Sequence, residues 1–476
     1  MRTAIRPVFA TFLLTFFIDA SAADKSPGYT RADLSAATAL RKKAADDATA
    51  YELVRSLTTE IGPRPAGSPG DKAAVAWALR EMQRLGFKNV HTVEADVPHW
   101  ERGEAEFAVI SPWPQTMPTL ALGGSIGTGA EGIEAEAVMV RDLDALAALP
   151  PGAVKDRIVF FNQRMDRTRD GTGYGRAVRV RASGPAAAGA LGAAGVVIRS
   201  ISTSDDRHPH TGATRLAANS PRIPAFALSN PDADALERQF ESGKPVRLRM
   251  RSSSRDLPQV RSANVIGEIP GSDLANEIVI LGAHLDSWDP GVGAIDDGAG
   301  VAIAMGAGKL IGDMQQRPAR TIRVVAFANE EQGLHGGRAY VAKHIADVRK
   351  HQIAAESDFG AGRIYAFSSG APDYAQGAVK QIADVLAPLG IAYTPGEGGP
   401  GPDISPFAGF GLAWAALRQD GTDYFDYHHT PDDTLDKIDP KALAQNVAAY
   451  AVFAYLAADA KGDFGSKPGQ VTPPRE

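Results

Sequence analysis

Residues 281–300 read LGAHLDSWDPGVGAIDDGAG. The apolar run EIVILGAH (277–284) ends on His284, with Asp286 two positions on, and a Gly-rich loop then delivers Asp296 and Asp297 to the small-residue segment GAGVAIAMGAGKLI. An uninterrupted apolar strand followed by a helical segment predicts a sheet covered on both faces. Polar groups just past such a strand stand where open α/β sheets bind their ligands. The stretch therefore predicts an α/β fold, a largely parallel sheet flanked by helices, with chemistry at one edge.

Working outward, SANVIGEI, TIRVVAFANE, QIAAESD and RIYAFSSG repeat the apolar pattern between segments of helical character. They add Glu330, Glu331, Glu356 and Asp358 at strand ends, and DYHHTPDDTLDKID adds His428 and His429 after LAWAAL. Each has a plain structural explanation when taken singly: a lone histidine is usually hydrogen-bonded in a core, and paired glutamates or aspartates are usually solvated. Two like charges buried at a strand end, however, need a counter-charge, which a metal would supply. Asp286 is placed to orient His284.

Around this unit the chain has distinct textures. Arg31 to about Glu60 reads as helix, and a second helix after GPRPAGSPG ends near Leu85, with Ser68 as its cap, Pro69 at its first position and Gly86 past its end. Short strands alternating with Gly and Pro turns over 105–257 predict an inserted β-rich domain, closed by a linker-like RMRSSSRDLPQV. His208 and His210 inside it read as loop or domain contacts, and the arginines of VRLRMRSSSR as a solvated strand face. Segments 23–104 and 258–460 are assigned to the helical start and the body of the main domain, and 461–476 to a disordered tail.

Residues 1–22, with Arg2 and Arg6 ahead of an apolar run and then Ala20-Ser21-Ala22, read as a secretory signal peptide. No later segment is apolar enough to span a membrane. Losing Arg2, Arg6 and Asp19 would move the net charge from −6 to −7, which gives no reason to expect nucleic acid as a partner. With no cysteine in 476 residues, a thiol nucleophile and disulfides are excluded, and any metal must sit on His, Asp and Glu.

In order, GAHLDS, GAIDDGAG, FANEEQGLHGG, ESD and YHHTPDDT resemble the motifs of the M28 family of co-catalytic zinc exopeptidases, from Tyr51 to Ala460. Within the family, PHTGA, ESDFG and GGPGPDISPF resemble the carboxypeptidase Q group, and GAAGVVI with IPAFALSNPDADAL resembles a protease-associated (PA) domain. The resemblance implies a mixed, largely parallel sheet and two zinc ions per chain. It places His284 and Asp358 on one ion, Glu331 and His429 on the other, and Asp296 on both. It makes Glu330 the general base and Asp297 a geometric support joined to Asp296 by a cis bond. His428 replaces an aromatic residue of the relatives and is a candidate oxyanion donor, or else packs beside the site. Asp403 is a candidate for holding a substrate amine. The expected substrate is a short peptide or dipeptide gripped by its amino end, with the carboxyl end left open. A single-zinc glutaminyl cyclase, a receptor-like protein without catalysis, and a homodimer stay open as alternatives.

Overall fold

Alternation along single strands builds the main sheet. In the computed structural model, which describes residues 26–215 and 220–465, Val279, Leu281 and Ala283 face one apolar layer while Ile278 and Ile280 face another. The same division separates Ile322, Val324 and Ala326 from Val325 and Phe327. Period-two alternation sends successive side chains to opposite faces, so a strand apolar on both must be covered twice.

The sheet runs Lys88–Glu101, Arg255–Ile269, Arg320–Phe327, Leu274–His284, His351–Glu356, Ala413–Gln419, Ile364–Ser369, Ala392–Tyr393. Its four central strands, from Arg320–Phe327 to Ala413–Gln419, are parallel, so their carboxyl ends share one edge. One face is covered by helices Arg31–Ala44, Thr49–Ser56, Pro69–Arg84, Ala299–Gly312 and Pro440–Asp459. Pro440–Asp459 is buried almost all round, as its uniformly apolar sequence requires. His335–His344 and Ser405–Ala408 cover the other face through Tyr340 and Phe407.

The predicted start of Pro69–Arg84 is observed: Ser68 accepts the Asp71 N–H at 3.1 Å, Pro69 leads the helix, and Gly86 follows with φ +87°. The first helical run is broken, Arg31–Ala44 being separated from Thr49–Ser56.

Residues 105–252 form a second eight-stranded sheet with their own apolar layers. The chain leaves the main sheet along Lys88–Glu101 and returns along Arg255–Ile269, paired antiparallel from Glu101↔Arg255 to Lys88↔Glu268. RMRSSSRDLPQV is therefore not a linker: it supplies the end of Arg247–Ser252 and the start of Arg255–Ile269, whose polar residues face solvent while the backbone pairs. The arginines Arg247 and Arg249 are exposed, as expected of a solvated face.

Residues 1–22, read as a signal sequence, lie outside the described residues, as does 466–476. Residues 461–465 are not disordered: Gly28 and Lys461 exchange backbone hydrogen bonds, and Phe464 is buried. Among the described residues no helix is long and apolar enough to cross a membrane.

Candidate metal centre

The parallel register sets His284 opposite Phe327 and Gly282 opposite Glu356, so the segments leaving three strands meet at one edge. There the loop after Leu274–His284 folds back and places Asp296 between two imidazoles. His284 Nε2 lies 3.1 Å from Asp296 Oδ1, and His429 Nε2 lies 3.1 Å from Asp296 Oδ2. Asp358 Oδ1 is 3.4 Å from the first nitrogen, and Glu331 Oε2 is 3.0 Å from the second. Asp296 is thus shared by two groups whose ligand atoms all lie within 4.8 Å of one another, His284–Asp296–Asp358 and Asp296–His428–His429, and Glu331 joins the second through His429.

Each imidazole is held from behind. His284 Nδ1 donates to the Asp286 carbonyl at 3.1 Å and His429 Nδ1 to the Thr211 carbonyl at 3.1 Å, which turns both Nε2 atoms, the ones a metal would take, toward the carboxylates. The Asp286 carboxylate lies 3.6 Å from His284 Nδ1 and also accepts the N–H groups of Glu330 and Glu331 at 3.0 and 3.4 Å. Asp297 accepts from the His284 and Gly300 N–H groups, both at 3.1 Å, and its bond to Asp296 is cis. A side chain at Gly300 would put its Cβ 2.0 Å from the Ser357 carbonyl oxygen, so only glycine lets the helix start this close.

The loop is fixed by two residues that no local pattern distinguished. Arg64, wholly buried, donates to the carbonyls of Leu285, Val292 and Gly293 at 2.5, 2.6 and 2.8 Å. Asp433 accepts the N–H of Ile295 at 2.7 Å and of Asp296 at 3.3 Å, and burial followed by the nearby Asp296 charge pushes its carboxyl up to about 7. Trp288 Nε1 donates to Glu331 Oε2 at 2.6 Å, orienting that carboxylate.

The electrostatics are those of a site short of positive charge. Burial, then Asp358, pushes Glu330 well above the usual carboxyl range; burial also raises Glu331 and Asp358. Burial works against charge on His284 too, yet Asp358, Asp286 and Asp296 outweigh it and hold the imidazole well above its ordinary value. Glu331 Oε1 is buried with no hydrogen-bond partner. Ligand atoms about 2.0–2.1 Å from a tetrahedral ion stand about 3.3–3.4 Å apart, close to the 3.0–3.4 Å observed around Asp296. Imidazole and carboxylate are zinc donors, so the residues fit the ion.

His428 lies against the same centre, its Nε2 3.7 Å from Asp296 Oδ2 and its buried Nδ1 without a partner, its ring stacked on that of His429. Asp403 is 1% exposed and accepts the Gly337 N–H at 3.2 Å through Oδ1, while its Oδ2 is buried without a partner; it does not itself line the cavity of about 180 Å³ beside Asp358. Its neighbours Gly401 and Pro402 line that cavity, with Phe359, Tyr365, Leu417 and Arg418. Glu356 closes behind the loop, accepting the N–H groups of Asp403 and Ile404 at 3.1 and 3.0 Å. His208 and His210 do make the contacts between the two sheets expected of them: His208 Nδ1 is 3.3 Å from Asp432 Oδ2, and His210 is buried beside the segment that contacts His429.

Comparison with known proteins fits this geometry. Residues 264–454 match the profile described as Peptidase family M28. Carboxypeptidase Q of Mus musculus is 34% identical over 411 residues, covering 86% of this chain and 85% of the relative. The Homo sapiens protein of the same name is 33% identical over 409 residues, with the same coverage. A crystal structure of a Peptidase M28 precursor from Shewanella amazonensis superposes with a TM-score of 0.90 at 47% identity, over 92% of this chain and 99% of that one. A zinc aminopeptidase from Bacillus subtilis shares the fold, with a TM-score of 0.62 at 22% identity over 85% and 94% of the two chains.

Proposed function

As the chain belongs to peptidase family M28 and is a metallopeptidase, we propose that it is a secreted di-zinc exopeptidase that releases terminal residues from short peptides or splits dipeptides, gripping the free amino end. The observation that carries the two-ion reading is Asp296, whose two oxygens each face a different imidazole at 3.1 Å. In this reading His284 and Asp358 hold one ion, His429 and Glu331 the other, and Asp296 both. When bound, such a pair polarises the scissile carbonyl and lowers the pKa of an attacking water towards neutrality.

Glu330 follows directly on Asn329 past the strand end, with its backbone fixed by Asp286. It takes a proton from the water as the oxygen attacks the carbonyl carbon, and gives it to the leaving nitrogen as the C–N bond breaks. His428, through its unpartnered ring nitrogen, is the candidate donor to the oxyanion. The cavity beside Asp358, about 180 Å³, is smaller than the roughly 300–1,000 Å³ of clefts for larger ligands. It suits one terminal residue rather than a threaded chain. The predicted PA-like character of 105–257 and the predicted signal at 1–22 belong to the same reading of an exported enzyme.

The relatives named Carboxypeptidase Q favour a second reading, a grip on the carboxyl end. Metal content together with hydrolysis of free dipeptides, N-acetylated peptides and C-amidated peptides separates the two. Two zincs per chain and a requirement for a free amino end are expected. Turnover of N-acetylated but not C-amidated peptides reassigns the enzyme as a carboxypeptidase, and a single zinc at full activity refutes the paired centre.

A further inference from the structure

The segment that carries His428 and His429 is gripped along its length by the inserted sheet's loops. At its start, Arg167 makes a two-pronged pair with Asp426, Nη1–Oδ2 and Nη2–Oδ1 both at 2.8 Å, and Thr203 Oγ1 donates to Asp426 Oδ1 at 2.7 Å. Ser202 Oγ donates to the Phe425 carbonyl at 2.9 Å, and Tyr174 stacks on the Phe425 ring with centroids 4.5 Å apart. At the histidine, Thr211 makes a reciprocal contact: its N–H donates to the His429 carbonyl at 3.3 Å while its own carbonyl accepts His429 Nδ1–H.

Thr211 is itself fixed. Arg102 Nη1 donates to its hydroxyl at 2.8 Å, the hydroxyl donates to the Ala121 carbonyl at 3.1 Å, and Arg181 Nη1 donates to the same Thr211 carbonyl at 3.3 Å. His429 has φ +63°, a conformation a histidine rarely adopts unless its surroundings impose it. The carbonyl that sets the tautomer of this imidazole is 218 residues away in sequence and belongs to a loop of the inserted unit.

We infer that the inserted unit is a working part of the metal centre: Thr211, steadied by Arg102 and Arg181, and the Arg167–Thr203–Asp426 clamp are positioning residues for His429. This rests on the reading of His429 as a ligand. Removing a group that orients a metal-bound histidine typically costs roughly ten- to hundredfold in metal affinity. It should cost the His429–Glu331 ion and spare the His284–Asp358 ion.

The test titrates zinc into the full-length, chelator-stripped chain, comparing wild type with His429→Ala, Thr211→Ala, Thr211→Ser and the pair Arg167→Ala with Thr203→Val. One of two equivalents should weaken in Thr211→Ala, which keeps the carbonyl but removes the hydroxyl that anchors it, and in the pair, by up to roughly tenfold, the lower end of what losing an orienting group costs, with Thr211→Ser staying near wild type. In the loaded enzyme kcat should fall at limiting zinc and recover at excess zinc, with KM unchanged. Both equivalents at wild-type affinity in Thr211→Ala and in the pair, while His429→Ala weakens one, overturns the positioning role and leaves the ligand assignment standing. If His429→Ala keeps both equivalents, the ligand assignment fails first and the inference with it. A uniform loss of both ions that Thr211→Ser does not rescue also overturns it. The paired variant lies on exposed and half-buried side chains, so it keeps the test available should Thr211→Ala fail to fold.

Discussion

Stripping the metal should make stability depend on pH in a way the loaded protein does not. In the metal-free chain, burial works against charge on His429, but Glu331 and Asp296 outweigh it and raise the imidazole from 6.5 to about 9. That difference corresponds to about 3 kcal/mol of preference for the folded state. Because the folded value is the higher one, the stabilisation is complete below pH 6.5 and disappears as pH rises through about 9. The raised carboxyl of Asp358 acts in the same direction, since burial favours its protonated form. A ligand imidazole is neutral throughout this window, so zinc-loaded protein lacks the His429 contribution. Melting curves of chelated and zinc-loaded protein at pH 6.5, 7.5, 8.5 and 9.5 measure this. The metal-free chain should lose on the order of 5 °C more than the loaded chain between the extremes, given the entropy of unfolding of a unit this large. Parallel losses in the two forms would refute the electrostatic account of the centre.

Glu330→Gln should keep both zincs and lose at least a hundredfold in kcat; loss of metal instead would make Glu330 a ligand. His429→Ala should lower zinc content, whereas His428→Ala should keep two zincs and lower kcat by roughly a hundredfold. Metal loss from the second variant alone exchanges their roles. Arg64→Met should cost about 3 kcal/mol or more, because the carbonyls of Leu285, Val292 and Gly293 lose a buried charged donor together. An unchanged melting temperature would show that the loop holds itself.

What the sequence disclosed and what it hid divide on a physical line. His284, Glu330, Glu331 and Asp358 were legible because each ends or follows an apolar strand, and parallel register carries such ends to one edge. Ser68, Pro69 and Gly86 were legible because capping is local chemistry. Lys88–Glu101 was not singled out: it is largely exposed over its first half and carries a proline, so its apolar signal is weak although its backbone pairs throughout. RMRSSSRDLPQV looked like a linker for the same reason, since side-chain polarity says nothing about backbone pairing when one face is in water.

The groups missed at the site are those whose partners are distant or are backbone atoms. Arg64 sits in an ordinary Gly-Pro loop and acts on carbonyls more than 220 residues away, and Asp433 acts on two N–H groups. Asp286 shows the same: its carbonyl accepts from His284 Nδ1 while its carboxylate, 3.6 Å from that nitrogen, also accepts the N–H groups of Glu330 and Glu331. A Gly-rich loop leaves the direction of the Asp403 side chain open in the sequence, so its hydrogen bond from the Gly337 N–H could not be read there. The Thr211 carbonyl is the extreme case. Every residue has a carbonyl, so no residue type marks it; only the folding of one sheet against the other makes this one the acceptor of a ligand histidine. A metal centre of this kind is therefore half written in its side chains, where motifs can be found, and half in the packing that turns each imidazole to present Nε2.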